Sequence, residues 1–481
     1  VIRGLREILP DNGKAFSSIL ISLKTRNFRL YFTGMCVSLT GTWMQQIAMS
    51  WLVYRLTGSV FLLATVTFMA QIPILLVTPL MSVFVDRFDR QKILILTQSL
   101  SMVQALSMAV LTLSGVIEVW HILILSLLIG CINALDNPTR QAFYPSLVAK
   151  EHLSNAIALN SAVINGSRLI GPAVGGVLIG IFGEGLCFLL NGISYLGVII
   201  ALSLMRLSPF TVQHRRQNVL TDIQEGFSYV SGNIPIRALL LLMSAVSFFG
   251  LPLMTFIPAY VKDILQGDSE MLGFLLSCIG VGSFLAALYL AARKSVVGLG
   301  KVVTISAFLL GISLMILSYI DTYWIAALIC LPAGFAIIST VASINTLLQT
   351  LSDEDKRGRV MGYLAMTFTG IAPVGSMFLG SLEKQTGLPA IILISGVSCA
   401  LGGIIFEYYR PLVRKHARQV YIRNGDRCSR RADLNKSPFL HFQIAIDHRS
   451  GQFFGFGQNG INTGISQLVG DTPFLCNKTS G

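Results

Sequence analysis

The chain has 481 residues, 53% of them hydrophobic and only 12% charged, with a mean hydropathy of +0.68. An ordinary soluble domain is about one quarter charged, so this composition excludes a water-soluble globule and points to an all-α polytopic membrane protein. The net charge of +13 does not indicate nucleic acid as a partner, because the basic residues lie in short connections and in the C-terminal tail rather than on one soluble face.

Residues 1–29 form a basic N-terminal segment, and its first 24 residues lack the basic, apolar and small-residue layout of a cleavable signal. The first apolar block is therefore expected to direct insertion. Apolar blocks follow at about 30–54, 60–84, 93–116, 121–137, 155–181 and 185–206. At 1.5 Å per residue, runs of this length cross about 30 Å of hydrocarbon as helices. Residues 208–235 then mix Arg215, Arg216, Asp222, Gln224 and Glu225 with Leu220, Ile223, Phe227 and Val230, the pattern of an amphipathic linker lying along the cytoplasmic interface. Six more apolar blocks run at about 236–261, 270–292, 301–319, 322–348, 360–382 and 388–408. Residues 30–207 and 236–408 thus form two sets of six, giving about twelve transmembrane helices. The tail, 409–481, carries eleven basic against four acidic residues. Its first part, Arg410 to Arg431, is placed on anionic headgroups, and the remainder reads as disordered.

Orientation follows from Lys and Arg, which are retained on the cytoplasmic side of short loops. All but four of the 36 basic residues fall in the N-terminus, the tail and every second connection; the exceptions are Arg55, Arg168, Lys262 and Lys384. Both termini are predicted to be cytoplasmic. The eight cysteines show no C-x-x-C pair and no histidines at zinc spacing, so free thiols are expected, with no metal and no cofactor. Gly298-Leu299-Gly300-Lys301-Val302 is too short for a phosphate-binding loop, and no histidine lies deep in an apolar block beside a nucleophile, which argues against an ATP-driven pump and against an enzyme.

The halves are weakly self-similar. Gly171-Pro172-Ala173-Val174-Gly175-Gly176 in the fifth block returns loosely as Ala372-Pro373-Val374-Gly375-Ser376 in the eleventh. A six-plus-six parallel repeat places a substrate site between the halves near mid-membrane. The connection after the second block, Asp86-Arg87-Phe88-Asp89-Arg90-Gln91-Lys92, resembles the major facilitator signature, with its acid and two arginines in register. Ser82, Asp89 and Gln91 depart from that signature. Asp136-Asn137-Pro138-Thr139-Arg140-Gln141, the run Asn155 to Ser161, and Arg168-Leu169-Ile170-Gly171-Pro172 further resemble the branch that contains exporters similar to the bacterial enterobactin exporter. The resemblance covers about residues 24–408. It implies the major facilitator fold, two pseudo-symmetric six-helix bundles, and proton-linked export of a hydrophobic or amphipathic compound such as a siderophore or drug across the bacterial inner membrane.

Within that frame, Asp86, Arg87 and Arg90 are candidates for a cytoplasmic gating latch, against the alternative of a merely topogenic loop. Gly171, Pro172, Gly175 and Gly176 form a small-residue face that the resemblance associates with export, and that pure packing also explains. Arg168, the one basic residue well inside a predicted span, costs at least about 2.5 kcal/mol there, so it either faces the cavity or a partner or snorkels to headgroups. Asp136 and Arg140 form an ion pair or a proton site, with Pro138 between them a potential helix break. Gln45, Gln46, Gln71, Asn133, Asn165, Asn191 and Asn345 are polar groups in apolar blocks, available either to line a cavity or to bond between helices. Trp43, Trp51, Phe248 and Phe256 are open to substrate contact or to packing. The expected partners are a small-molecule substrate, a coupling proton and the bilayer, acting on a monomer. Import or facilitated diffusion by the same fold, and a non-transporting scaffold or sensor, are the competing readings.

Overall fold

A long apolar run leaves the backbone one way to satisfy its polar groups in hydrocarbon, which is to bond them within the segment. The computed structural model describes residues 21–85, 87–205, 219–293, 295–296 and 298–434, and among them every such run is helical and no strand occurs. The spans are α1 (Arg26–Thr57), α2 (Val60–Val85), α3 (Arg90–Leu113), α4 (Val119–Phe143), α5 (Leu153–Phe182) and α6 (Glu184–Ser203) in the first half. The second half contains α7 (Ile234–Ile264), α8 (Ser269–Ala291), α9 (Leu299–Leu317), α10 (Tyr323–Leu351), α11 (Arg357–Thr386) and α12 (Leu388–Leu434). Eleven of these are apolar enough to cross a membrane by composition alone, and α1 is the twelfth. Helix α1 tolerates Thr40, Thr42 and Gln45 because protein groups satisfy them. Thr40 and Thr42 each bond back to a carbonyl four residues earlier at 2.9 Å, and Gln45 bonds to α3 and α6.

Two helices run further than their apolar blocks. Helix α4 continues through Pro138 to Phe143 although the ring removes one backbone bond. The Thr139 hydroxyl, 2.7 Å from the Leu135 carbonyl, and the Asp136–Arg140 ion pair tie the last turn across the proline. Helix α12 does not stop near residue 408 but stays helical to Leu434, so residues 409–434 are ordered as helix rather than forming an irregular tail. Once a span exists, each further residue adds a hydrogen bond without a new nucleation cost. A connecting helix, Val219–Gly232, occupies part of the predicted linker; Arg215 and Arg216 lie outside the described residues, as does the tail beyond 434.

The neighbours of each helix repeat with an offset of six. Helix α1 packs on α5 and α6, as α7 packs on α11 and α12; α2 packs on α4, as α8 on α10; α3 packs on α4 and α6, as α9 on α10 and α12. The recurring Gly-Pro segments serve this repeat. A methyl group on Gly171 would stand 2.5 Å from Trp43 Cβ on α1, and one on Gly375 would stand 2.1 Å from the Phe248 carbonyl on α7, so both crossings require glycine. Between the halves, α5 meets α8 and α2 meets α11.

The two ends of the bundle differ in charge. Seven acids, Glu118, Glu184, Asp263, Asp268, Glu270, Asp321 and Glu383, gather at the end where α1 stops and α2 begins, against Arg55, Lys262 and Lys384. We call this the acidic end and the opposite one the basic end. Val110, Leu241, Leu328 and Ile405 are each more than 60% exposed, a degree of apolar exposure that only lipid makes stable. Exposed Trp120, Tyr319 and Trp324 ring the acidic end, and exposed Tyr408 lies on α12 about 30 Å away along the helix, a spacing that matches interfacial belts at the two faces of a bilayer.

Candidate functional site

The faces on which the two halves meet are built from small residues. Gly176 of α5 and Gly273 of α8 touch backbone to backbone: a methyl on Gly176 would stand 2.6 Å from the Ser269 carbonyl, and one on Gly273 would stand 2.7 Å from the Pro172 carbonyl. Nearer the acidic end Gly180 meets Glu270. Deeper, Gly280 meets Leu169, and Ser277 donates to the Leu169 carbonyl at 3.4 Å. The α5–α8 contact thus runs from the acidic end to about 20 Å along α5. The α2–α11 contact parallels it, from Phe61 against Gly380 to Leu75 against Gly370. One large hydrophobic core joins both halves through this region. The basic end of the first half has a separate cluster, Phe28, Tyr31, Met35, Leu94 and Phe143 among others, that includes no second-half residue. The halves are therefore closed on each other at the acidic end.

The glycines of the fifth-block motif divide their work. Gly171 and Gly175 let α5 lie against Trp43 and Met44 of α1 within the first half, while Gly176 makes the contact with the second half. Arg168, one turn before them, holds its guanidinium 4.9 Å from the centroid of the Trp43 ring, a cation over an indole face.

At the basic end residues 89–91, where the α2–α3 loop enters α3, make polar contacts with other parts of the first half. Asp89, in the place of the signature's glycine, caps α3 by accepting from the Gln91 backbone N–H at 2.9 Å. Arg90 donates to the Ala142 carbonyl at 3.0 Å and the Gln91 amide to the Leu202 carbonyl at 2.6 Å, satisfying the open ends of α4 and α6. Both departures from the signature at positions 89 and 91 therefore have a capping role. Arg87 is exposed, and Asp86 lies outside the described residues.

Asp136 and Arg140 come together with partners that their spacing alone did not reveal. Asp136, 2% exposed, accepts from Thr97 at 2.6 Å and Gln98 at 2.9 Å, both on α3, and from Arg140 at 2.9 and 2.5 Å. Tyr31 of α1 packs edge-on against Tyr144, whose hydroxyl donates to Asn160 of α5. The signal in the sequence was Thr97-Gln98, two adjacent polar residues in the third apolar block, one helical face of which had to bury them.

The amide residues separate into two groups. Gln45, Asn191 and Gln104 form a buried chain across α1, α6 and α3, with Asn191 donating to Gln45 at 2.7 Å and Gln45 donating to Gln104 at 3.2 Å. Asn165 bonds back to the Ser161 carbonyl, and Asn345 accepts from Gln349. The candidates Gln45, Asn191, Asn165 and Asn345 are thus bonded inside a half or on their own helix. Gln46 is exposed on α1, Asn133 is half-buried on α4, and the Gln71 side-chain oxygen on α2 has no hydrogen-bond partner among the described residues. Gln71, Leu75 and Thr78 share one face of α2, and Leu75 touches Gly370 within a π-helical turn of α11, Thr367–Ile371. That turn lies against a second one in α7, Val246–Gly250, at the same depth. Wide turns of this kind break the regular carbonyl pairing and often mark functional sites. Phe248 packs on Phe378, Phe256 is buried, and Trp51 is 9% exposed, so none of these three is free at the interface in this state.

Comparison with known proteins agrees with this architecture. Residues 17–425 match the family described as transmembrane secretion effector. The chain is 26% identical over 386 residues to the staphyloferrin A transporter of Staphylococcus aureus, covering 79% of this chain and 95% of that protein. It is 23% identical over 379 residues to the multidrug efflux pump Tap of Mycolicibacterium fortuitum, covering 77% and 92%. Its fold is similar to that of a bacterial homologue of the iron transporter ferroportin in an inward-facing state, at a TM-score of 0.64 and 16% identity over 80% of this chain and 98% of that one. The match spans both six-helix halves and the interface between them, and the chain belongs to the transmembrane secretion effector family of major facilitator transporters.

Proposed function

We propose that this transporter exports a hydrophobic or amphipathic small molecule, siderophore-like or drug-like, across a bacterial inner membrane in exchange for protons, with the basic end and both termini in the cytoplasm. The observation that carries the reading is the backbone contact of Gly176 with Gly273 at the acidic end. With Lys and Arg retained inside, that end faces out, and the state is the inward-facing one in which an exporter loads its cargo. Two relatives, a staphyloferrin A transporter and a multidrug efflux pump, support cargo of this class. Gln46, Gln71 and Asn133, together with the π-helical turns of α7 and α11, offer polar groups to a mostly apolar ligand. In the opposite state Asp86, Arg87 and Arg90 close the cytoplasmic face, and Asp136, paired with Arg140, is the acid nearest the interior for coupling.

The test is efflux of a siderophore and a panel of lipophilic drugs from cells expressing the chain, with and without a protonophore. Efflux that stops when the gradient collapses is the expected result. Efflux that persists removes the proton from the reading, and accumulation of the compound instead of its loss reverses the direction.

A further inference from the structure

At the acidic end the halves are also joined by a side chain. Tyr54, in the last turn of α1, is 2% exposed, and its hydroxyl donates to Asp263 Oδ2 in the last turn of α7. The adjacent Lys262 places its ammonium 5.7 Å from the centroid of the same ring. One residue of the first half thus meets two consecutive residues of the second, a carboxylate at its hydroxyl and a cation over its face. Glu383 of α11 lies within electrostatic reach of both Tyr54 and Asp263, with Lys384 beside it. Neighbouring charges are otherwise engaged: Arg55 is paired with Glu184 at 2.7 Å inside the first half, and Asp268 caps α8.

The segment that presents Asp263 is held in place. Lys262 and Asp263 lie on a π-helical turn, Tyr260–Ile264, two residues before Gln266. Gln266 has φ of 49°, the one non-glycine residue in the left-handed region among the described residues, and its amide donates to the Asp263 carbonyl at 2.6 Å. A backbone kept in a sparsely populated conformation beside a hydrogen bond from its own side chain marks a turn whose shape is specified.

We propose that Tyr54 is a positioning residue for transport, a clasp that docks on Lys262 and Asp263 and holds the extracellular side shut in the inward-facing state. The inference rests on the alternating-access reading above but not on any cargo. Opening that side moves α1 away from α7, so the phenol loses its acceptor and its cation in one motion. A charge-assisted hydrogen bond present in one state only shifts the balance of states by about tenfold or more.

The experiment measures the closed-to-open ratio directly in the full-length chain. Spin labels are attached at Ser114→Cys and Thr322→Cys, exposed outer-loop positions of the two halves, in a cysteine-free background, and their separation is read in lipid nanodiscs without substrate or gradient. Tyr54→Phe is expected to lower the closed fraction about tenfold relative to the open one while leaving the thermal unfolding midpoint unchanged. Asp263→Ala is expected to do the same, and the double variant to do no more than either single one, because both remove one interaction. Asp263→Asn, which keeps an acceptor oxygen, recovers part of the closed fraction and serves if the alanine variant folds poorly. An unchanged ratio in Tyr54→Phe, or effects that multiply to about a hundredfold in the double variant, overturns the clasp. The same ratio is obtained whatever the chain exports, so a failed clasp leaves the export reading standing and a failed export reading leaves the clasp.

Discussion

Where two helix backbones touch, one methyl group decides whether they can meet. At Gly176 the added carbon collides with a carbonyl and a Cα, neither of which can rotate away, whereas Gly166, ten residues earlier on the same helix, has nothing within 4 Å of that position. Overpacking of this kind costs about 1–3 kcal/mol, and the cost falls only on the state closed at the acidic end. Gly176→Ala is therefore expected to cut efflux roughly tenfold with normal amounts of protein in the membrane, and Gly166→Ala to leave it within twofold. Equal rates in the two variants would separate the glycine contact from transport. The buried acid follows another logic. Asp136 has four hydrogen bonds and a cation, so its charge is fully compensated inside the first half, and removing one partner leaves the other stranded.

At the scale of elements, the connecting helix shows which contacts are strong. Glu225 pairs with Arg359 at 2.6 Å and Lys356 at 3.4 Å, but it is about half exposed, and such pairs contribute less than about 1 kcal/mol. Gly226 lies against the Tyr363 ring, 2.9 Å from where a methyl would stand. Gly226→Val is expected to release the helix and raise amide exchange over residues 225–232 at least tenfold, while Glu225→Gln changes it by less than about fivefold; the reverse order would make the ion pair the anchor. Burial pushes the Tyr229 phenol up, so it remains a donor to Asp353 at 3.1 Å. That contribution is present in full below the ordinary value of about 10 and is lost only as pH rises past the raised one.

The span positions and the six-fold offset were legible because membrane helices must be apolar and lengthy, and the backbone leaves no other solution. The end of α12 was not, since its last two turns and more are polar and their helicity depends on the span before them. Nor were the partners of Tyr54: they come from residues 209 positions away on a helix whose relation to α1 only the packing establishes. Spacing brought Asp136 and Arg140 together but said nothing of α3, and the amide residues looked alike in sequence although Gln45 and Asn191 bond to each other while Gln46 does not join them.

For the whole molecule, labelling can check the orientation we propose from the segregation of charge. An impermeant thiol reagent added to intact cells is expected to modify a cysteine placed at Ser114 and to spare one placed at Glu354 until the membrane is opened; the opposite pattern would invert the topology and with it the direction of export. The glycine seam between α5 and α8 carries a further consequence. Helices that interlock through large side chains must withdraw each knob from its hole before they can move, and that withdrawal is a barrier. Gly176 and Gly273 present nearly smooth surfaces to each other, so the halves part by sliding rather than by unmeshing. A carrier that must join and part its halves on every turnover gains speed from a seam with few knobs to withdraw, and polar contacts at the rim bias the choice between the two forms.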